Sequence, residues 1–394
     1  MKPKIVDILI LGGGLVGLSA AHLLSKQNFQ VGVIEKEKPD FSKEDPEFDL
    51  RYSAISKASR DLFQQLGVWE GMTSKRVSPY RRMLIWDALG FGELTFDAAD
   101  VAEPDLGHII ENRVMLQALW EQAEQDSNIH LMTSAKPVAF TVGKEAVTLE
   151  LEGGTCWPAS CLIGADGGKS WLREHFSCKT IRHDYQQRAL IATVKTEYPH
   201  AETAWQRFLP EGPLAFLPLV DSHLCSIVWT ADPVTIEASM SLSESAFCEE
   251  LAHRFDYRLG NILSSSKRLS YPLVRQRAEP TVSERIALIG DAAHVIHPLA
   301  GQGVNLGLFD AKQLAAEFAE ASQQGIDIGH PLILRRFERA CKGKVMRTMM
   351  AMDSLNKTFS GQHSWAIGLR SLGLNWINKT KFLKKALILE AMGI

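Results

Sequence analysis

The segment HPLAGQGVNLGLFD, residues 297–310, sets Pro298, Gly301, Gln302 and Gly303 ahead of an apolar helical pattern that opens near Val304. A surface turn needs one glycine. A Gly-Gln-Gly run instead allows backbone to lie close against a flat ring, with the amides of a helix N-terminus aimed at it. Just upstream, the strand-like RIALIG ends in Gly290-Asp291, placing a carboxylate at the carboxyl edge of a sheet, where it suits the hydroxyls of a ribityl chain. A reduced flavin is negatively charged on its pyrimidine edge, and a helix N-terminus stabilises that charge.

A second glycine-rich stretch, ILILGGGLVGLSAAHLL, carries Gly12-x-Gly14-x-x-Gly17 between an apolar strand and a helix. Gly12 permits the tight turn, Gly14 lets backbone approach a pyrophosphate, and Gly17 lets the helix pack close to the strand. Glu35 ends the next strand, about 20 residues on, where its carboxylate accepts from a ribose 2′-hydroxyl and repels a 2′-phosphate. That favours FAD or NAD over NADP at this position. A third stretch, GADGGKSWLRE (164–174), delivers Asp166 to a turn before a helix that Ser170 can cap; taken alone it reads equally well as a plain strand-to-helix turn.

The elements that must position these residues follow from periodicity. A strand is expected over 4–11, a helix over 15–26, and a second strand in FQVGVIEK. An exposed loop from Lys36 to Asp49 precedes a helix near 54–66, strand-like RMLIWDA and GELTFDA, and a helix from Val114 to Glu124. Between about 181 and 271 the texture alternates: in ALIATVKTEY, Leu190, Ala192 and Val194 face one way and Thr193, Lys195 and Glu197 the other. GPLAFLPLVDSHLCSIVW reads as two strands around a turn at Asp221–Ser222. From about Pro331 the chain is expected to be helical. The fold class is therefore α/β, a Rossmann-like dinucleotide domain interrupted by a mostly antiparallel β-sheet, with a helical C-terminus. The expected division is residues 1–75, 105–180 and 272–330 for cofactor binding, 76–104 and 181–271 for the inserted β domain, and 331–394 for the C-terminal helices.

Composition narrows the class further. The 394 residues carry 43 basic and 46 acidic side chains, a net charge of −3 that gives no footing for nucleic acid. The cysteines at 156, 161, 178, 225, 248 and 341 are scattered without a Cys-x-x-Cys, which fits a reducing, cytoplasmic setting better than a disulfide framework. The uncharged run from Ile8 to Leu24 follows Asp7 and opens on three glycines, so it reads as strand, turn and helix rather than a membrane span.

GxGxxG, then Gly-Ala-Asp-Gly, then Gly-Asp-Ala-Ala-His with Pro and Gly-Gln-Gly, in that order, resemble the single-component flavoprotein aromatic hydroxylases. HPLAGQGVNLGLFD is similar to the signature of the ubiquinone-biosynthesis monooxygenases among them, and the likeness extends through LGHIIEN, FLPLVDSHLCSIVW and DIGHPLILRRFER. The resemblance implies an oxidoreductase whose FAD is reduced by NAD(P)H and reacts with dioxygen to form a flavin C4a-hydroperoxide, which hydroxylates the ring of a polyprenylphenol. It implies cofactor contacts from Gly12, Gly14, Gly17, Glu35, Asp166, Asp291, Pro298, Gly301, Gln302, Gly303, Val304 and Asn305. Arg51 in DLRYSAIS matches the family's flavin-side arginine, and Arg113 the arginine that opens the following helix. The family has no agreed catalytic base and no metal; His294 and His297 lack a third ligand, and His294 is expected to hydrogen-bond within its turn.

The inserted sheet forms the substrate pocket in this family, with Phe216, Leu217 and Pro218 as candidate walls. The tail from Trp365 carries Arg370, Lys379, Lys381, Lys384 and Lys385 against Glu390, a pattern open to packing on its own domain, to a partner among the ubiquinone-biosynthesis proteins, or to peripheral contact with the inner face of the cell membrane. Two other functions stay open: an FAD hydroxylase of another ring position or of a small phenol, and a non-catalytic flavin-binding subunit of a quinone-synthesis complex.

Overall fold

The computed structural model describes residues 6–41, 50–296, 303–360 and 364–394. Its first sheet has six strands in the order Val282–Ser283, Ile286–Leu288, Cys161–Gly164, Ile8–Leu11, Val31–Glu35, Ile129–Thr133. All neighbours pair in parallel except the Val282–Ser283 edge. ILIL and CLIG are buried at every position, as expected of parallel strands covered on both faces. The register sets Leu11 beside Ile34 and Gly164, and Gly164 beside Leu288. The three glycine motifs thus leave the sheet at one carboxyl edge, where open α/β sheets bind ligands.

Helices Leu15–Ser25, Asn112–Gln125 and Gly303–Gln323 bury their apolar residues against this sheet in one core that includes Leu18, Trp120 and Phe318. The helix expected over 54–66 begins only at Lys57. Tyr52–Ser56 is a strand paired with Gly107–Glu111, and Ser56 caps the helix by accepting from Ser59 N. The alternation in YSAIS is what made the strand, and it was short enough to be absorbed into the helical period.

The second large sheet has nine strands. Lys179–Thr196, 18 residues long, pairs with Leu224–Ala231, Ile262–Ser265 and Leu269–Glu279. Gly212–Pro218 and Leu224–Ala231 flank the expected turn. Leu190, Ala192 and Val194 enter the core, but Ile191 and Thr193 are buried too, because the opposite face is also covered here. Leu269–Glu279 carries the sheet past the expected boundary at 271/272, and His294–Val295 joins its far edge. At the other edge, Arg82–Asp87 pairs in parallel with Thr203–Leu209 and antiparallel with Glu93–Asp97.

The C-terminal helices are Pro331–Ser360, Ser364–Lys379 and Lys381–Met392. Ser364–Lys379 lies along the Glu93–Asp97 edge, where Asn375 Oδ1 accepts from Glu93 N at 3.2 Å and Asn378 Oδ1 from Thr95 N at 3.3 Å. A Cβ on Gly92 would come within 2.7 Å of Ser371 Cα, so the glycine is what admits the helix. Arg370 is buried against Asp87, with Nε 2.5 Å from Oδ2 and Nη2 2.9 Å from Oδ1. Lys384 pairs with Asp100 at 2.7 Å. Two of the tail's five cations are therefore used inside the protein. Among the described residues, no helix is long and apolar enough to cross a membrane.

Candidate functional site

The first glycine loop is built by contacts that only glycine allows. Gly12 has φ +104°, and a Cβ there would stand 2.4 Å from Ala165 O; a Cβ on Gly17 would stand 2.0 Å from Gly12 O. Gly14 differs: nothing lies within 4 Å of its Cβ position. It is also the N-cap of Leu15–Ser25, a helix with no side-chain cap and no acidic residue in its first turn. Free amides, a positive helix end and open space together make a cradle for phosphate. Glu35 supports it, Oε2 accepting from Gly13 N at 2.7 Å and Oε1 from Lys36 N at 2.8 Å. Trp120 Nε1 donates to Gly13 O at 3.0 Å, a contact 107 residues apart in sequence that sequence reading did not reach.

The second motif lies next to the first, with Ala165 N bonded to Leu11 O at 2.8 Å. Asp166 Oδ2 accepts from Trp171 N at 2.7 Å and Leu172 N at 3.2 Å, while its Oδ1 is buried with no partner. A buried carboxylate oxygen with nothing to accept from is costly unless a ligand donor completes it. Ser170 accepts from Arg173 N as expected. Buried Arg173 then ties the second motif to the third, donating to Gly168 O at 2.7 Å and Ala292 O at 3.0 Å.

The third motif meets the first at Val16. Its side chain lies 3.2 Å from the Cβ position of Gly290 (φ +58°) and 2.5 Å from that of Gly307. Asp291 is exposed, yet burial by the protein around it raises its pKa, with His294 partly offsetting that effect. His294 also reaches beyond its turn. Its Nε2 lies 2.7 Å from Asp310 Oδ2, which also accepts from Gly290 N at 2.9 Å. Burial alone would depress the His294 pKa, but the Asp310 carboxylate and Asp291 outweigh it and the net shift is upward. The pair fastens the Gly290-Asp291 turn to helix Gly303–Gln323.

Gly303 opens that helix and has open space at its Cβ position, with Val304 half-buried beside it. Asn305 turns the other way: Oδ1 accepts from Ser56 N at 3.0 Å and Nδ2 donates to Ala54 O at 2.8 Å. Its side chain therefore stitches the helix to strand Tyr52–Ser56. Pro298, Gly301 and Gln302 lie outside the described residues.

Arg51 is exposed and follows into that strand; Tyr271 of the large sheet is close enough that the guanidinium opposes the rise that burial gives the Tyr271 pKa. Arg113, in the first turn of Asn112–Gln125, donates to Phe41 O at 3.3 Å. Phe216 is not a wall residue. It is fully buried and stacks on Phe255 with centroids 3.8 Å apart, inside the core between sheet and helices. Pro218 is buried as well, and half-buried Leu217 points to the opposite face, because side chains alternate along a strand.

An uncapped helix end with open space at Gly14, a partnerless Asp166 oxygen and an exposed Asp291 carboxylate fit a bound dinucleotide on grounds internal to this structure. Residues 5–341 match the FAD binding domain family, and the chain belongs to it. It is 34% identical over 394 residues, all of both chains, to the 3-demethoxyubiquinol 3-hydroxylase of Escherichia coli K12. It is 32% identical over 390 residues to the ubiquinone hydroxylase UbiL of Rhodospirillum rubrum, spanning 99% of this chain and 90% of that one. The crystal structure of p-nitrophenol 4-monooxygenase PnpA from Pseudomonas putida has the same fold, with TM-score 0.80 and 17% identity over 99% of this chain and 98% of that one. Within the flavoprotein hydroxylases the protein is thus an FAD-dependent monooxygenase of the ubiquinone-biosynthesis group, taking electrons from NAD(P)H and oxygen from dioxygen.

Proposed function

We propose that the protein hydroxylates the aromatic ring of a polyprenylphenol intermediate of ubiquinone biosynthesis. What carries this reading is the meeting of the Gly12–Gly17 and Gly290–Gly307 segments at Val16, in a chain alike end to end with ubiquinone-ring hydroxylases. FAD supplies the redox and oxygen-transfer chemistry when bound. The chain's residues bind and orient. Gly14 and the amides of Leu15–Ser25 hold the pyrophosphate, Glu35 keeps the loop in shape and accepts from the adenosine ribose, and Asp166 and Asp291 accept hydroxyls nearer the ring. The amides of Gly303 and Val304, at the N-terminus of helix Gly303–Gln323, would stabilise negative charge on a flavin ring held there. The large sheet would form the substrate side, with Tyr271 and the neighbouring Arg51 guanidinium beside it.

Lipid extracts of cells lacking the gene test this. Accumulation of a polyprenylphenol is expected; a normal quinone pool would overturn it. The name of the Escherichia coli relative favours a second reading, action on a demethoxyubiquinol, and the accumulated quinone would then lack one methoxy group. A substrate with a polyprenyl tail resides in a bilayer, so the enzyme works from the cytoplasmic side at the membrane surface, beside other proteins of the pathway.

A further inference from the structure

Helix Ser364–Lys379 is amphipathic in the wrong sense for a helix facing water. Its inner face holds Arg370, Ser371 and Leu374 against the β-sheet. On the outer face, Leu369, Leu372 and Trp376 follow at helical spacing and are 62%, 58% and 63% exposed. Phe382, in the first turn of the next helix, is 85% exposed. A polar side chain would cost nothing at any of these positions, whereas a run of large apolar groups on one stripe marks a surface that meets something apolar.

The charges around it indicate what. Lys379 and Lys381 lie between Trp376 and Phe382, and Lys385 one turn on; all three are exposed. The ion pairs of this stretch use Arg370 and Lys384 instead. Glu390 is the only acidic residue from 364 to 394. Trp and Phe beside unpaired lysines suit the boundary between lipid headgroups and acyl chains, where aromatic rings sit at headgroup depth and each cation is drawn to anionic lipid. A protein partner of matching acidity could meet the lysines, but it would supply no general reason for an indole and a phenyl ring to flank them.

We infer that Leu369, Leu372, Trp376 and Phe382, with Lys379, Lys381 and Lys385, form a face that rests on an anionic lipid bilayer. The inference rests on the polyprenylphenol reading for its purpose, though not for its geometry. The buried pair Arg370–Asp87 and the ion pair Lys384–Asp100 fix this face to the body of the protein, so lipid contact holds the whole enzyme, not a loose tail, at the surface.

The test uses the full-length flavoprotein and sedimentation with vesicles of phosphatidylcholine alone or mixed with phosphatidylglycerol. Wild type is expected to bind the anionic vesicles and to release at high salt. Trp376→Ser with Phe382→Ser, and separately Lys379→Glu, Lys381→Glu and Lys385→Glu together, are each expected to weaken binding by at least about tenfold. All seven positions are exposed or remote from the cofactor cleft, so visible flavin absorbance, melting temperature and turnover of a short-chain phenol should be unchanged. Unaltered vesicle binding in both variants overturns the inference. So does a change of oligomeric state in the apolar variant, which would make the face a subunit contact, or binding of wild type to a pathway protein but not to vesicles. Wild type inactive on every phenol would count against the hydroxylase reading and leave the vesicle result to stand separately.

Discussion

His294 and Asp310, 16 positions apart and on different elements, form a buried pair 2.7 Å across, and the same Asp310 oxygen also accepts from Gly290 N. One carboxylate thereby fixes the turn that presents Asp291 and the helix that starts at Gly303.

The raised His294 pKa gives this pair a pH signature. The unfolded group titrates near its ordinary value of 6.5 and the folded one above it, so the stabilisation by the charged pair is complete below 6.5 and declines as pH rises through the folded value. Charged hydrogen bonds of this kind are worth about 1.5–3 kcal/mol. The difference in melting temperature between wild type and His294→Asn is therefore expected to be largest below pH 6.5 and to shrink at higher pH. A difference independent of pH would show that the imidazole is neutral throughout.

The glycines of the first motif should separate folding from cofactor binding. Gly12→Ala meets Ala165 O in a backbone conformation that L side chains resist, so loss of soluble folded protein is expected. Gly14→Ala meets nothing and keeps an ordinary φ of −80°, so the apo-protein should melt within about 0.5 kcal/mol of wild type. Its methyl group would occupy the phosphate space, and FAD affinity should drop by about tenfold or more, equivalent to 1.4 kcal/mol. Equal flavin affinity in Gly14→Ala, measured by titrating apo-protein, would move the cofactor elsewhere.

Breaking the Arg370–Asp87 pair should be costly, since it leaves one charge buried and alone. Arg370→Met is expected to lower unfolding stability by about 3–5 kcal/mol, and Arg370→Met with Asp87→Leu to recover part of it. Denaturant titration of the three proteins decides.

What the sequence disclosed was local. Gly12, Gly14, Gly17 and Glu35 lie within one strand–helix–strand unit, and the backbone geometry that selects those residue types is set by near neighbours. Trp120 on Gly13 O, Arg173 between two motifs and Asn305 on Ser56 are long-range contacts, invisible to spacing. Phe216 shows a different limit. Strand periodicity says that Phe216 and Leu217 face opposite ways, but which of them meets the core depends on what the sheet packs against, and here Phe255 does so. For Arg370 and Lys384 the sequence left own-domain packing and a membrane or partner contact all open for the same reason: their partners lie far off in the chain, Asp87 at the end of strand Arg82–Asp87 and Asp100 in the short helix Ala98–Val101.

Asn375 and Asn378 have a consequence beyond the docking of one helix. By occupying the outward amides of Glu93 and Thr95, they close the only side of that strand on which another chain could add a strand of its own. A protein shortened before Ser364 would present that edge bare, and self-association through β-pairing, rather than simple loss of a tail, is the defect to look for in such truncations.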